Sequence, residues 1–187
     1  IRAETAGFCF GVDRAVRMTE QLAREGHKVA TLGPLIHNPQ CVAALEAQGV
    51  VTADSVESVP AGYEVVIRSH GVGEDIYAAL AARGAEVHDA TCPFVAKIQR
   101  IAAQAGRAGA VLLIAGDENH PEVQGIVGHA CGEVRVFAGL EALEACSTPE
   151  MREKPAFVVA QTTFEVTKWL ESTKFIKKVY TSPRIFD

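Results

Sequence analysis

Short apolar runs alternate along the chain with longer stretches of helical periodicity, and the two patterns predict different elements. Runs rich in Val, Ile, Leu and Ala predict strands at Val29–Leu32, Glu64–Arg68, Glu86–Asp89, Ala110–Gly116, Val134–Phe137 and Ala156–Ala160. Several are apolar at consecutive positions, which suits strands of a parallel sheet covered on both faces. Helical spacing predicts helices over Val12–Glu25, Gln40–Gln48, Ile76–Arg83 and Phe94–Arg107, with a further helix beginning after Pro121. Val12, Ala15, Val16 and Leu22 mark one face of the first; Val95, Ile98, Ile101 and Ala102 mark one face of the fourth. Gly26, Gly49 and Gly84 stand just beyond the first three, where a helix C-terminus favours glycine. The fold class is therefore α/β.

A weak internal repeat divides this plan in two. Ala6–Leu22 laid beside Ala90–Gln104 reads each time as a short lead, a cysteine and an amphipathic helix. Cys9 and Cys92 thus each precede a helix, where free N–H groups and the positive end of the helix dipole favour a thiolate. The repeat predicts two similar lobes, each a small, mainly parallel sheet flanked by helices. We place the boundary at Cys92–Phe94, giving a first lobe of residues 1–92 and a second of 93–187, with a cofactor between them.

Charge narrows the partners. Among 187 residues, 18 Lys and Arg face 23 Asp and Glu, a net charge of −5, which argues against nucleic acid as a partner for this segment. An anionic ligand is still compatible with that balance if donors gather in one pocket. No stretch approaches the roughly 18 apolar residues of a membrane span, and no signal pattern opens the chain, so a cytoplasmic protein is expected. The five cysteines form no C-x-x-C pair, and an odd count in a reducing compartment does not suggest a disulfide framework. The chain begins at Ile1 without Met and stops at Asp187 with no closing helix, and so reads as a segment of a longer protein.

The loops after the predicted strands carry most of the reactive side chains. They read Gly33-Pro34-Leu35-Ile36-His37-Asn38, Ser69-His70-Gly71-Val72, Ala90-Thr91-Cys92-Pro93, Asp117-Glu118-Asn119-His120-Pro121-Glu122 and Gln161-Thr162-Thr163. Ligands of open α/β sheets bind beyond the carboxyl ends of strands, so these loops are candidates to converge there. Three imidazoles, a carboxylate, hydroxyls and an amide are what binding a diphosphate and moving a proton require. Singly, each has a plainer reading: a histidine after a strand is commonly a turn residue, and Glu122 also suits the first turn of a helix. His27, His88 and His129 read as structural or solvent-facing, and Cys41, Cys131 and Cys146 as small buried hydrophobes. Cys9 and Cys92 differ. Gly7 and Gly11 flank Cys9 and let backbone approach a bulky object, and Pro93 suits a first helical turn, so these two thiols are candidates for a metal centre.

The segments Ala6-Gly7-Phe8-Cys9-Phe10-Gly11-Val12-Asp13-Arg14-Ala15-Val16, Ile36-His37-Asn38, Ser69-His70-Gly71-Val72, Asp89-Ala90-Thr91-Cys92-Pro93, His120-Pro121-Glu122-Val123 and Gln161-Thr162-Thr163 together resemble the signature set of the 4-hydroxy-3-methylbut-2-enyl diphosphate reductase family. They occur in the family's order and cover essentially the whole chain. The resemblance implies the last step of the non-mevalonate isoprenoid pathway, in which an allylic hydroxyl is removed reductively to give isopentenyl and dimethylallyl diphosphates. It implies a 4Fe-4S cluster held by three cysteines, with Cys9 and Cys92 as two of them. It further implies that His37, His70 and His120 bind the diphosphate, that Glu122 relays a proton to the departing hydroxyl, and that Thr162 lies beside the substrate in that relay, with Thr163 a weaker candidate. Ferredoxin or flavodoxin is the implied electron donor.

The family pattern also has a third lobe, carrying the third cysteine and a Ser-rich segment with Asn, and neither is among these residues. Ser182-Pro183-Arg184-Ile185-Phe186-Asp187 reads as the approach to that cysteine, and Cys131 and Cys146 match no ligand position. The expectation is two of three lobes of a longer enzyme, with a labile or absent cluster and no activity by itself. The alternative is a noncatalytic α/β fragment that binds an anion or a metal.

Overall fold

A computed structural model describes residues 7–36 and 38–186, so His37 lies outside the described residues. The chain divides into two compact units, Ile1–Pro93 and Phe94–Asp187. The first contains α1 (Phe10–Arg24), β1 (Val29–Leu32), α2 (Pro39–Glu46), β2 (Val51–Ala53), β3 (Glu64–Ile67), α3 (Glu74–Ala82) and β4 (Val87–Asp89). Its strands form one sheet in the order β2-β1-β3-β4, every pair parallel. Side chains alternate across the pleat, so the two faces bury different sets. Val29 and Val66 pack with Ala15, Val16 and Leu22 of α1 and Leu45 of α2. Ala30, Leu32, Val65 and Ile67 pack with Leu80 of α3 and with Val56 and Val59.

The second unit repeats this plan. It contains α4 (Pro93–Arg107, whose first residue closes the first unit), β5 (Val111–Ala115), α5 (Pro121–Val127), β6 (Val134–Phe137), α6 (Leu140–Cys146), α7 (Pro149–Arg152), β7 (Pro155–Ala160), α8 (Val166–Val179) and β8 (Ser182–Ile185). The parallel sheet has the order β6-β5-β7-β8. Every residue of β5 is buried, as its unbroken apolar run requires. Leu112, Ile114, Phe157 and Val159 cluster with Ile101, Ala102 and Ala105 of α4 and Val123 and Ile126 of α5; Val111, Leu113 and Val158 cluster with Leu143, Met151 and Ile176.

In both sheets the two central strands lead on to opposite edges: β1 to β2 and β3 to β4, β5 to β6 and β7 to β8. That reversal makes the carboxyl ends of β1 and β3, and of β5 and β7, the places where an open α/β sheet forms a crevice.

The two-lobed α/β plan is the one the periodicity predicts, and the differences lie at the edges. The strands β2 and β8 escape the pattern: β2 has three residues and β8 reads Ser-Pro-Arg-Ile, with the proline that only an edge strand tolerates. Within Ser182–Asp187, the segment that reads as the approach to a cysteine, Ser182–Ile185 forms a strand paired with β7. The helices α6, α7 and α8 are also outside the predicted set. Cys131, expected to be buried, is exposed because it sits in the α5–β6 connection. Cys41 and Cys146 are partly buried, and burial pushes both thiols up. Among the described residues no helix is long and apolar enough to cross a membrane.

At the amino end of β3, Glu64 binds both structural histidines, His27 Nδ1 on Oε1 and His88 Nε2 on Oε2, each at 2.6 Å. The hydrogen bond and charge of Glu64 raise the pKa of His27, while His27 and then His88 lower that of Glu64. The raised His27 stabilises the fold fully below its ordinary 6.5 and ceases to as pH climbs through its folded value. The lowered Glu64 does so fully above its ordinary 4.5 and ceases to as pH falls through its folded value. Glu64→Gln should therefore lower the urea midpoint most between pH 4.5 and 6.5, with the difference from wild type shrinking on both sides. A difference independent of pH would show that these pairs contribute nothing; solvent screening keeps the effect small.

Candidate functional site

In the second unit, Gly116 directly follows β5 and Gln161 directly follows its neighbour β7. A Cβ on Gly116 would lie 2.7 Å from Val123 Cγ2 and 3.0 Å from Gln161 Oε1, so only glycine allows α5 and the end of β7 to close on β5. Gln161 Oε1 accepts the N–H of Asp117 at 3.1 Å, and its amide nitrogen donates to Thr163 Oγ1 at 2.8 Å. This places Thr162 against Glu122. The Thr162 N–H donates to Glu122 Oε1 at 2.6 Å and its hydroxyl donates to Oε2 at 2.7 Å. Glu122 is 2% exposed, an unusual setting for a carboxyl group, and these two donors hold both of its oxygens.

His120 caps α5, with Nδ1 accepting the N–H of Glu122 at 3.1 Å. A neutral ring bound in that way carries its proton on Nε2, which makes it a donor on its other side. Pro121 takes the first helical position, where its missing N–H costs nothing, and so fixes the turn that brings His120 and Glu122 together.

In the first unit the corresponding edge gathers thiols. Cys9 is the N-cap of α1 and is exposed; Cys92 is partly buried. A Cβ on Gly11 would lie 2.9 Å from Cys92 Sγ, so the object that approaches Gly11 is the Cys92 side chain. Arg14 ties α1 to that loop, donating from Nη1 to the Thr91 carbonyl and from Nη2 to the Asp89 carbonyl, each at 3.1 Å. The Asp89 carboxylate accepts the Thr91 N–H at 2.8 Å and the Tyr77 hydroxyl at 3.1 Å. Burial, ahead of its contact with Asp89, pushes the Tyr77 phenol up to about 12, so it remains a donor. The Cys92 N–H donates to the Ser69 carbonyl at 2.9 Å, fastening this loop to the one that carries His70.

Of the residues singled out in the sequence, Glu122, Thr162 and His120 meet in the second unit. Cys92 meets Gly11 in the first turn of α1 in the first. His70 is half-buried in the loop after β3, Thr163 bonds to Gln161, and His37 lies outside the described residues. Asn38 caps α2 by accepting the N–H groups of Gln40 and Cys41. Sequence reasoning missed the fastening role of Arg14 and Asp89 and the packing role of Gly116. A glycine directly after a strand is legible, but the side chain that fills its space is not.

The family model described as LytB protein matches residues 1–187. This chain belongs to the LytB family. It is 45% identical over 163 residues to the 4-hydroxy-3-methylbut-2-enyl diphosphate reductase of Citrifermentans bemidjiense, covering 87% of this chain and 56% of the relative. It is 37% identical over 183 residues to the same-named protein of Solidesulfovibrio magneticus, covering 95% of this chain and 63% of that protein. A solved structure of (E)-4-hydroxy-3-methyl-but-2-enyl diphosphate reductase, titled the terminal enzyme of the non-mevalonate pathway, matches with a TM-score of 0.83 and 38% identity over 100% of this chain and 66% of that one. The Plasmodium falciparum reductase shares the fold, with a TM-score of 0.85 at 23% identity, over 97% of this chain and 57% of that one. The chain thus spans less than two thirds of the length of these LytB-family relatives.

The geometry of Glu122 makes a direct prediction. Thr162→Val removes the hydroxyl and leaves a buried carboxylate oxygen unsatisfied, costing about 1–3 kcal/mol in urea denaturation, whereas Thr162→Ser should cost well under half of that. Equal stability of the two variants would show that the hydroxyl does not hold Glu122.

Proposed function

We propose that this chain forms part of a reductase that removes the hydroxyl of 4-hydroxy-3-methylbut-2-enyl diphosphate. Two electrons and two protons are consumed, the allylic C–O bond breaks, and the products are water with isopentenyl or dimethylallyl diphosphate. The single observation that carries the reading is a buried Glu122 gripped at both oxygens by Thr162, in a chain 45% identical to a protein of that name.

The residues present also suit the implied 4Fe-4S cluster. Cys9 and Cys92 both stand where a helix begins, and Gly11 leaves the space that Cys92 Sγ uses. These two thiols would be two of three cysteine ligands, the third lying outside these 187 residues. A bound cluster supplies the electrons and polarises the bond that breaks. The protein supplies the proton and the anion site. When Glu122 is ionised, the Thr162 hydroxyl donates to Oε2, as observed. When it is protonated, the carboxyl donates to Thr162 Oγ1, whose hydrogen then turns outward. A proton thus passes from Glu122 through Thr162 to the leaving hydroxyl without either side chain moving.

His37, His70 and His120 are assigned to the diphosphate. Electrons come from ferredoxin or flavodoxin in the cytoplasm.

Turnover of the diphosphate substrate with a chemical reductant, in a chain extended to the length of its relatives, tests the relay. Glu122→Gln should lower kcat by about 100-fold or more, the usual contribution of a positioned acid. Unchanged turnover in that variant would remove Glu122 from the reaction.

A further inference from the structure

Arg68 directly follows β3, and Gly33 directly follows its partner β1, so the two stand at the crevice of the first sheet. A Cβ on Gly33 would lie 2.9 Å from Arg68 Nη1 and 3.6 Å from its Cζ, and Gly33 has φ +69. The guanidinium therefore lies across the turn that ends β1. The second unit has the same arrangement at its own crevice, with Gln161 after β7 lying against Gly116 after β5.

The two side chains differ in what they bind. The Gln161 amide is satisfied at both ends, by Asp117 and by Thr163. Arg68 is half-buried, its Nε is fully buried without a hydrogen-bond partner, and among the described residues no carboxylate pairs with it. Burial alone accounts for the downward shift of its pKa, and no neighbouring acid opposes it. A guanidinium stays charged under such conditions, and partial burial without a counter-charge disfavours it until an anion arrives. In a chain of net charge −5, an unpaired cation at the carboxyl end of a central strand, one residue from Ser69-His70, is suited to a ligand anion.

We propose that Arg68 is a further diphosphate-binding residue of this protein, its guanidinium meeting the anion at the crevice between the ends of β1 and β3. The inference rests on the reductase reading for the identity of the ligand, and its test is separate from turnover and from iron. Inorganic diphosphate is titrated calorimetrically, at low salt, into this chain and into its Arg68→Gln and Arg68→Lys variants. Arg68→Gln should weaken binding at least tenfold, and Arg68→Lys, which keeps the charge and loses the planar fork, should fall between. The urea midpoint of Arg68→Gln should equal or exceed that of wild type, because a half-buried charge with no carboxylate partner among the described residues has been removed. A structural Arg68 would instead lower that midpoint and leave diphosphate binding unchanged. Equal affinity of all three chains, or no binding by wild type, overturns the proposal. Arg68-dependent binding in a protein without reductase turnover would leave it standing while the enzymatic reading falls.

Discussion

Close approach at a glycine, where two parallel strands end side by side, is the constraint on which the rest of the second unit depends. Gly116 has no side chain, so Gln161 and Val123 both press onto the end of β5, and their contact fixes where α5 begins relative to β7. Glu122 and Thr162 meet only because that distance is short. Any larger residue at position 116 would push one of the two away, and overpacking of this kind disturbs geometry before it abolishes folding. The buried carboxyl is thus a consequence of close packing where the adjacent strands β5 and β7 end.

The first unit applies the same device to thiols. Gly11 admits Cys92 Sγ, and Arg14 fastens the loop of Cys92 to α1 through two backbone carbonyls. Asp89 organises that loop with both of its oxygens, one on the Thr91 N–H and one on the Tyr77 hydroxyl. These contacts hold the Cys92 side chain in one place, so using it would not require ordering a loop first. Gly11 of the G-F-C-F-G segment is therefore part of the Cys92 arrangement rather than punctuation.

Much of this was legible in the sequence, for identifiable reasons. The central strands announce themselves because they are buried on both faces and read as continuous apolar runs, as in Val111–Ala115. The repeat is visible because α1 and α4 each follow a cysteine and each bury one stripe. Edge strands are not legible in the same way: β8 contains Pro183 and Arg184 and packs only partly, so nothing in its composition separates it from a loop. The loops after the strands do hold Cys92, His120, Glu122 and Thr162, yet the partners inside them depend on tertiary register. Nothing in the spacing of Glu122 and Thr162, 40 positions apart, says that one grips the other. His27 and His88 illustrate the converse, since two histidines set aside as structural converge on one carboxylate through the parallel alignment of β1 and β4 on either side of β3.

The proposed role of Cys9 and Cys92 as ligands of an iron–sulfur cluster is tested by iron and acid-labile sulfide analysis. The measurement is made after anaerobic purification, on a chain extended to the length of its relatives, with Cys9→Ser, Cys92→Ser and Cys131→Ser variants alongside. The account predicts about four iron and four sulfide per wild-type chain, the same in Cys131→Ser, and loss of most of both in the other two variants. Full iron and sulfide in Cys9→Ser and Cys92→Ser would contradict it.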